Sequence, residues 1–259
     1  MSFNAEEIVR TFFNRFFWRQ HPDAALRYIP AVRIIKSKGL NNSKILEIGS
    51  GSLGIVPYLN RKIDAVDIDF TGPHTDFLNK IKGRAQSLPF RKNSYDIVVS
   101  VDVLEHLEKT VRFEAIFEML RVAKSLAVLV VPEGRQAQIQ DKKLLNIWNK
   151  TFPEKNQFLE EHIKFSLPTA DQILVDIDKS IRKLQKQAKI DSFKTLNLTI
   201  REILMRTWIT KNKYLYYLYM KGFLLLLPLL LLANFGNCYR RVFVIELSPK
   251  SEIRNPPSH

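Results

Sequence analysis

The sequence predicts an α/β fold built on a doubly wound, mostly parallel sheet. Residues 44–69 combine a short apolar run, a glycine-rich turn and a second apolar run that ends in acid. The runs Ile97–Val101 and Ser125–Val131 are apolar apart from Ser100 and Ser125, as expected for strands that are covered on both faces. Strand and helix patterns alternate along the chain, which is typical of a doubly wound sheet.

The turn Gly49–Gly54 carries the pattern G-x-G-x-x-G directly after the apolar residues Ile45–Ile48. Glycines suit this position because the backbone must turn sharply and let a ligand approach without a Cβ in the way. Asp67 closes the next apolar run, at a spacing at which an acid can bind the two hydroxyls of a ribose. The stretch therefore predicts a cofactor that contains a nucleoside.

The segments around this turn distinguish among the nucleotide-binding proteins that share the glycine pattern. Glu47 precedes the first glycine, and Leu88-Pro89-Phe90, Tyr95–Ser100 and Val103–Leu107 follow in that order. Together they resemble the class I S-adenosylmethionine-dependent methyltransferases, in the small-molecule branch of the LPF…LEHL type. The resemblance is strong over residues 41–132 and implies a seven-stranded, Rossmann-like sheet with S-adenosylmethionine as the cofactor.

The resemblance also implies a set of cofactor-binding residues. Glu47 would act near the amino-acid end of the cofactor, and Asp67 would hold the ribose. Many relatives read G-D-A before LPF, and the acid of that pattern accepts from the adenine amino group. Here the stretch is Gly83-Arg84-Ala85-Gln86, so the acid is absent, and Gln86 and the backbone of Ala85 are expected to meet adenine. The candidate cofactor-binding residues are Glu47, Gly49, Gly51, Gly54, Asp67, Ala85, Gln86 and Ser100.

The candidate catalytic residues are Asp102 and His106, which follow the fourth strand. Ligands bind at the carboxyl edge of an open sheet, and the ordinary pKa of histidine suits a general base. A histidine that only caps or packs is the alternative, and His162 is a weaker candidate. The chain has neither a CxxC pair nor a histidine cluster in sequence, so no metal site is predicted. Residues 100–103 also lack the D/N-P-P-Y/F/W pattern of enzymes that modify nucleic-acid bases, so nucleic acid is not the expected acceptor.

Composition restricts the compartment and the partners. The 259 residues carry a formal net charge of +14 and a single cysteine, Cys238, which excludes an internal disulfide framework. The first ten residues contain acids where a secretory signal needs an apolar core, so a cytoplasmic protein is expected. Residues 141–259 hold 20 basic and 11 acidic side chains, which favours an anionic partner such as a membrane surface, with a merely basic soluble protein as the alternative.

The predicted organisation has four parts. They are an N-terminal helical cap (1–40), a methyltransferase domain (41–200 and 240–248), a hydrophobic insertion (201–239) and a disordered tail (249–259). The cap holds one helix over Asn4–Arg19 and another from Pro22 to about Lys38, which Gly39 terminates. Arg27 and Tyr28 on the second helix are expected at the surface rather than at the site. Beyond these, the patterns predict helices over 104–122, 138–149 and 170–177, a short helix or loop over 76–81, and strands over 192–200 and 241–247.

The insertion contains the stretch YLYYLYMKGFLLLLPLLLLANF, residues 214–235, with Lys221 as its only charge. An uncharged run of 18 residues, 222–239, reaches the length of a spanning helix, but Pro228 interrupts it and a single span would separate 241–247 from the sheet. Three interpretations remain: a segment lying on a membrane surface, a lid, or a homodimer interface. Tyrosines and flanking basic residues favour a lipid interface, and the flanks are Lys211, Lys213, Lys221, Arg240 and Arg241.

These observations predict methyl transfer from S-adenosylmethionine to a small or lipid-linked acceptor, by an enzyme that is cytoplasmic or peripheral on the membrane. The alternative is a non-catalytic cofactor-binding scaffold of a membrane-associated complex. A nicotinamide oxidoreductase fits the glycines and Asp67, but it does not fit the LPF and LEHL segments.

Overall fold

A seven-stranded sheet forms the centre of the protein. The computed structural model describes residues 11–13, 15–17, 20–40 and 42–249, and the sheet order is β3-β2-β1-β4-β5-β7-β6. The strands are β1 Ile45–Ile48, β2 Ile63–Asp67, β3 Leu78–Lys82, β4 Tyr95–Val101, β5 Ala123–Pro132, β6 Lys186–Asn197 and β7 Cys238–Pro249. Strands β1 to β5 pair in parallel, and β7 is antiparallel to both of its neighbours. The predicted doubly wound, mostly parallel α/β sheet is confirmed.

The helices occupy the connections between these strands and the insertion. They are α1 Pro22–Ser37, α2 Val56–Leu59, α3 Lys109–Val122, α4 Gly134–Thr151, α5 Gln157–Phe165, α6 Ala170–Leu184, α7 Leu198–Trp208, α8 Lys213–Tyr217, α9 Phe223–Leu225 and α10 Leu227–Leu230. A 3-10 turn, Leu104–His106, and a π-helical turn, Leu218–Gly222, are also present. Helix α1 begins at Pro22 as predicted, because proline lacks only an N–H that the first turn does not use.

Apolar cores cover both faces of the sheet. Val98 belongs to the core that contains α3 and α6, whereas its neighbours Ile97 and Val99 belong to the core that contains α1. Successive side chains of a strand point to opposite faces, so a strand covered on both sides is apolar on both faces. This explains the apolar stretches Ile97–Val99 in β4 and Leu126–Val131 in β5.

Three predicted elements differ from the structure. The short helix or loop over 76–81 is wrong, because Leu78–Lys82 form β3 and pair in parallel with β2. The helix over 104–122 is broken at Leu107, which has extended backbone angles (φ −98°, ψ 145°). The strand over 192–200 ends early because the side chain of Asn197 accepts from the N–H groups of Thr199 and Ile200 and starts α7 there.

Two predictions fall mainly outside the described residues. Of the helix expected over Asn4–Arg19, residues 11–13 and 15–16 are described as helical. The tail expected to be disordered lies outside the described residues after Pro249.

The insertion folds as a series of short helices instead of one long helix. Leu224, Leu227 and Leu231 are buried in a third core with Leu26 of α1 and Leu144 of α4. Four neighbouring leucines are exposed, and these are Leu225, Leu226, Leu229 and Leu232. In the part of the chain that the structure describes, no helix has the length and apolar character needed to cross a membrane.

Candidate active site

The turn after β1 has a backbone conformation that requires glycine. Gly49 and Gly54 have φ values of +76° and +54°. A Cβ on Gly49 would collide with Val103, and a Cβ on Gly54 would collide with the carboxylate of Glu47. Gly51 also has a positive φ, +55°, but a Cβ there would meet nothing within 4 Å. Gly51 therefore presents bare backbone to open space, where a ligand can approach closely.

Glu47 lies beneath this turn and is completely buried. Its Oε2 accepts from the backbone N–H of Ile55 at 2.9 Å, whereas its Oε1 has no hydrogen-bond partner among the described residues. Burial raises the pKa of Glu47 to about 8, and the Ile55 N–H only partly opposes this rise. Buried polar atoms are normally paired, so this oxygen is suited to a donor that a ligand or water supplies.

Asp67 stands at the carboxyl end of β2 and holds the glycine turn. Its Oδ2 accepts from the N–H of Gly51 at 2.6 Å, and its Oδ1 accepts from the N–H of Asp69 at 3.2 Å. A carboxylate has about four acceptor positions, so both oxygens can still accept from ribose hydroxyls. Asp69 instead accepts from the N–H and hydroxyl of Thr71 and closes the next turn.

Of the candidate cofactor-binding residues Ala85, Gln86 and Ser100, two share a crevice. Ala85 and the buried Ser100 line a narrow space with Val103 and Leu104. Gln86, the third, does not line it, and the Arg84 side chain is exposed. Arg84, which stands where many relatives carry the acid, therefore faces solvent.

A cavity of about 430 Å³ contains both candidate catalytic residues. Its polar lining includes Asp102 and His106, and its apolar lining comes largely from helix α7 and the helical turns of the insertion. The lining residues used below are Asp23, Arg27, Asp102, Glu105, His106, Phe158, His162, Met205, Trp208, Tyr216, Tyr219, Met220, Tyr239 and Arg240.

Asp102 is held by two guanidinium groups. Arg240 Nη2 lies 2.7 Å from Asp102 Oδ2, and Arg27 Nη1 lies 3.4 Å from the same oxygen. Asp23 pairs with both arginines, at 3.0 Å from Arg27 and 3.2 Å from Arg240. Burial opposes the charge on Arg240, but Asp102 and Asp23 outweigh it and raise the pKa of the guanidinium. The Asp102 carboxylate is thus engaged in the ion-pair cluster, and its catalytic role stays a prediction.

The two residues of α1 that were expected at the surface lie elsewhere. Arg27 lines the cavity, and Tyr28 is buried in the core under the sheet. Arg240, expected as a basic flank for lipid, is buried with only 4% of its side chain exposed. Arg240 is therefore not available to a membrane surface, and that part of the sequence interpretation is wrong.

His106 and His162 are neighbours in the lining of the cavity, with ring centroids 4.8 Å apart. The Nδ1 of His106 lies 2.7 Å from Glu161 Oε2, and the Nδ1 of His162 lies 2.8 Å from Asp141 Oδ2. Burial, reinforced by the neighbouring His162, lowers the pKa of His106 and favours its neutral form.

Glu105 lies against these histidines and is completely buried. Burial and the nearby Asp102 raise the pKa of Glu105 well above its ordinary range. Sequence reasoning missed Glu105 because it falls within a LEHL segment that is expected to be helical. It also missed Asp141 and Tyr239, which no local pattern connects to the site.

The comparisons with known proteins identify the domain around the glycine turn. A family model described as a methyltransferase domain matches residues 46–131. No curated protein matches the chain significantly. The fold is similar to a protein from Galdieria sulphuraria provisionally assigned as a sarcosine dimethylglycine methyltransferase, with a TM-score of 0.51 and 12% identity over 93% of this chain and 98% of the other. It is also similar to a provisionally assigned methyltransferase of an antibiotic biosynthesis pathway in Anabaena variabilis, with a TM-score of 0.50 and 16% identity over 85% and 98% of the two chains.

The fold and the glycine turn define a class I S-adenosylmethionine-dependent methyltransferase domain. Its cofactor is S-adenosylmethionine, which brings a methyl group on a sulfonium and leaves orientation and exclusion of water to the protein. The residues present fit this cofactor, because Gly51 faces open space, Glu47 Oε1 lacks a partner and Asp67 retains acceptor capacity. Glu47, Gly51 and Asp67 would hold it over the carboxyl edge of β1 and β2.

Proposed function

We propose that the protein transfers a methyl group from S-adenosylmethionine to an oxygen, nitrogen or carbon atom of a small amphiphilic acceptor. The observation that carries this proposal is the mixed lining of the cavity, which combines carboxylates, guanidinium groups and imidazoles with aromatic and thioether side chains. An acceptor with one polar end and one hydrocarbon or aromatic end would match such a lining.

The polar side chains of the lining would hold the reacting end of the acceptor. They include Glu105 and His106, in the turn that follows β4, and His162 of α5. Ligands of open α/β sheets bind at this edge, next to the cofactor. If the reacting atom is a hydroxyl or an amine, the neutral imidazole of His106 is the candidate base that takes up its proton.

The apolar side chains of the lining would hold the rest of the acceptor. Met205, Trp208, Tyr219 and Met220 come from the insertion, and Phe158 comes from α5. Aromatic and thioether side chains bind irregular apolar groups well, because the rings offer large surfaces and methionine adapts its shape. The insertion would therefore determine which acceptor binds, while the sheet binds the cofactor.

A lipid-linked acceptor is the form of this proposal that the surface of the insertion supports. Tyr216 lines the cavity and is also 43% exposed, so it connects the cavity with the outer surface. Exposed apolar side chains continue from it along the insertion, namely Tyr214, Leu215, Tyr217, Leu218, Leu225, Leu226, Leu229 and Leu232. Large apolar patches commonly mark membrane or protein contacts. We propose that the protein takes its acceptor at a membrane surface.

The test uses S-adenosylmethionine with a labelled methyl group, offered together with either a lipid extract or an aqueous extract of cells. We expect label to enter an extractable lipid and S-adenosylhomocysteine to form in step. Trp208→Ala should reduce transfer while cofactor binding, measured by calorimetry, stays unchanged. Label that enters only water-soluble products would exclude the lipid-linked acceptor. Cofactor binding without turnover on either extract would favour the non-catalytic scaffold.

A further inference from the structure

We propose that Glu105, His106 and His162 form a binding site for a divalent transition-metal ion. Each residue offers one donor atom, and these three atoms lie within 4.8 Å of one another. Glu105 and His106 lie at the end of the 3-10 turn that follows β4, and His162 lies on α5. The fold therefore brings together donor atoms that are far apart in the sequence.

The donor atoms are suited to bind a cation because they lack hydrogen-bond partners. Both carboxylate oxygens of Glu105 and the Nε2 of His162 are buried without a hydrogen-bond partner in the described part of the chain. Glu105 is 0% exposed and His162 is 7% exposed. An unpaired buried polar group costs about 1–3 kcal/mol, and more when it is charged, so three such atoms at one place need an explanation. A metal ion would satisfy all three at once.

The outer contacts of the histidines prepare them for a metal. Glu161 lies 2.7 Å from Nδ1 of His106, and Asp141 lies 2.8 Å from Nδ1 of His162. A carboxylate can only accept, so each ring carries its proton on Nδ1 and directs a lone pair on Nε2 toward Glu105. Histidines that bind metals almost always donate their other N–H to a carboxylate or carbonyl in this way.

Asp141 is itself fixed by further contacts. The hydroxyl of Tyr239 donates to Asp141 Oδ2 at 2.9 Å, and Arg201 pairs with Asp141 Oδ1 at 2.8 Å. Burial opposes the charge on Asp141, but Arg201 and His162 outweigh it and lower its pKa. Asp141 therefore remains an acceptor for His162, and the His162 ring cannot easily rotate away from Glu105.

The donor set selects the kind of metal. Two imidazoles and one carboxylate suit Zn²⁺ and similar first-row ions, whereas Mg²⁺ and Ca²⁺ prefer oxygen ligands. Tetrahedral bonds of about 2.1 Å would bring the donors to about 3.4 Å apart, so each side chain would move by about an ångström on binding. The fourth position would face the cavity that the three residues line.

No metal site was expected from the sequence, because Glu105 and His106 belong to a common motif and His162 is far along the chain. If the proposed function holds, the ion would bind the polar end of the acceptor, and this step rests on that proposed function. His106 would then be a ligand instead of a base. Metal binding itself does not depend on methyl transfer, and it is measured without cofactor or acceptor.

The experiment titrates chelator-treated full-length protein with Zn²⁺ by calorimetry and with Co²⁺ by visible absorption. We expect one Zn²⁺ per chain, a Co²⁺ spectrum of tetrahedral or five-coordinate type, and weak binding of Mg²⁺. Glu105→Gln and His162→Gln should abolish the Co²⁺ spectrum. Glu161→Gln, which removes an outer contact, should weaken binding by about 10–100-fold. The control is His74→Ala, since the His74 side chain is 79% exposed and outside the cluster.

Wild-type protein that binds neither Zn²⁺ nor Co²⁺ would overturn the proposal, and so would binding that the Glu105 and His162 variants retain. If either variant fails to fold, nitrogen-15 NMR of the wild-type histidines decides. Zn²⁺ should shift the Nε2 signals of His106 and His162 while their Nδ1 atoms stay protonated. Unchanged Nε2 signals at saturating Zn²⁺ would exclude this cluster as the site.

Discussion

Arg240 binds the carboxylate of Asp102 through both Nη2, at 2.7 Å, and Nε, at 2.9 Å, although 138 positions separate them in sequence. Their side chains are 4% and 9% exposed. The pair joins the start of β7, directly after the insertion, to the turn that follows β4. Asp102 has a left-handed φ of +53°. The ion pair connects the chain directly after the insertion to the carboxyl edge of the sheet.

We predict that Arg240→Met destabilises the protein by about 3–5 kcal/mol, because it leaves Asp102 and Asp23 buried without their strongest partner. Urea denaturation measures the change in the free energy of unfolding. The control is Lys38→Met, since Lys38 pairs with Glu246 at the surface with 40% and 35% of the side chains exposed. Surface pairs contribute about 0–1 kcal/mol, so the control should change little. Equal, small losses in both variants would contradict the importance of the buried pair.

The cofactor half of the site could be predicted because its residues are close in sequence. Glu47, Gly51 and Asp67 belong to one βαβ unit, and the backbone geometry of the turn requires glycine at the positions where the pattern has it. The sheet followed from the same logic, since covered parallel strands must be apolar throughout. Local rules therefore sufficed for these elements.

The acceptor half could not be predicted in full, because its residues come from distant segments. Nothing in the lysine-rich helix α4 indicates that Asp141 meets His162, and nothing in β7 indicates that Arg240 meets Asp102. These pairs depend on tertiary packing between distant segments. Helix α7 also begins at an Asn197 cap, where the alternating pattern predicted a continuing strand. Because the LEHL segment has the pattern of a helix, the sequence did not predict that the carboxylate of Glu105 is buried.

Cofactor affinity should depend on Asp67. We predict that Asp67→Ala weakens S-adenosylmethionine binding by about tenfold or more, because the ribose hydroxyls lose their acceptor and Gly51 loses the bond that orders the turn. Calorimetry measures the dissociation constant. The matched control is Asp69→Ala, whose carboxylate serves only its local turn with Thr71 and should leave affinity unchanged. Unchanged affinity in folded Asp67→Ala would remove Asp67 from the site.

The stability of the cofactor-free protein should fall with pH through Glu47. Its folded pKa is about 8 against an ordinary value of 4.5, so the folded state retains a proton that the unfolded state releases. Stability is therefore lost as pH rises from about 5 to 8, by at most about 1.4 kcal/mol per pH unit for one group. Relative to the wild type, Glu47→Gln should become progressively more stable across this range.

Urea denaturation at pH 5 and pH 8 measures this difference. The control is Glu118→Gln, because Arg121 and the Leu88 N–H outweigh partial burial and lower the pKa of Glu118. Glu118 is ionised in both states across the range, so its substitution should have the same effect at both pH values. Parallel pH profiles for wild type and Glu47→Gln would show that Glu47 titrates normally.

The exposed leucines of the insertion should bind a membrane surface. Leu225, Leu226, Leu229 and Leu232 point outward, while Lys211 and Lys213 are exposed nearby. Each basic residue near an anionic surface contributes about 1 kcal/mol, and apolar burial adds to this. We predict flotation of the protein with anionic vesicles that declines as salt rises, and weak flotation with neutral vesicles. Replacing these four leucines with serine should abolish flotation and leave cofactor affinity intact, because the glycine turn lies elsewhere on the sheet.

The other two interpretations of the insertion give different results with the same variant. A lid predicts impaired methyl transfer without any effect of vesicles, and a dimer interface predicts a change in sedimentation. Because Leu224, Leu227 and Leu231 form the buried side of the segment, the serine variant keeps the contacts that hold the insertion on α1 and α4. Circular dichroism of the variant should therefore match the wild type, so that lost flotation reports lost lipid contact. Wild-type protein that stays unbound to anionic vesicles at low salt would rule out the membrane interpretation.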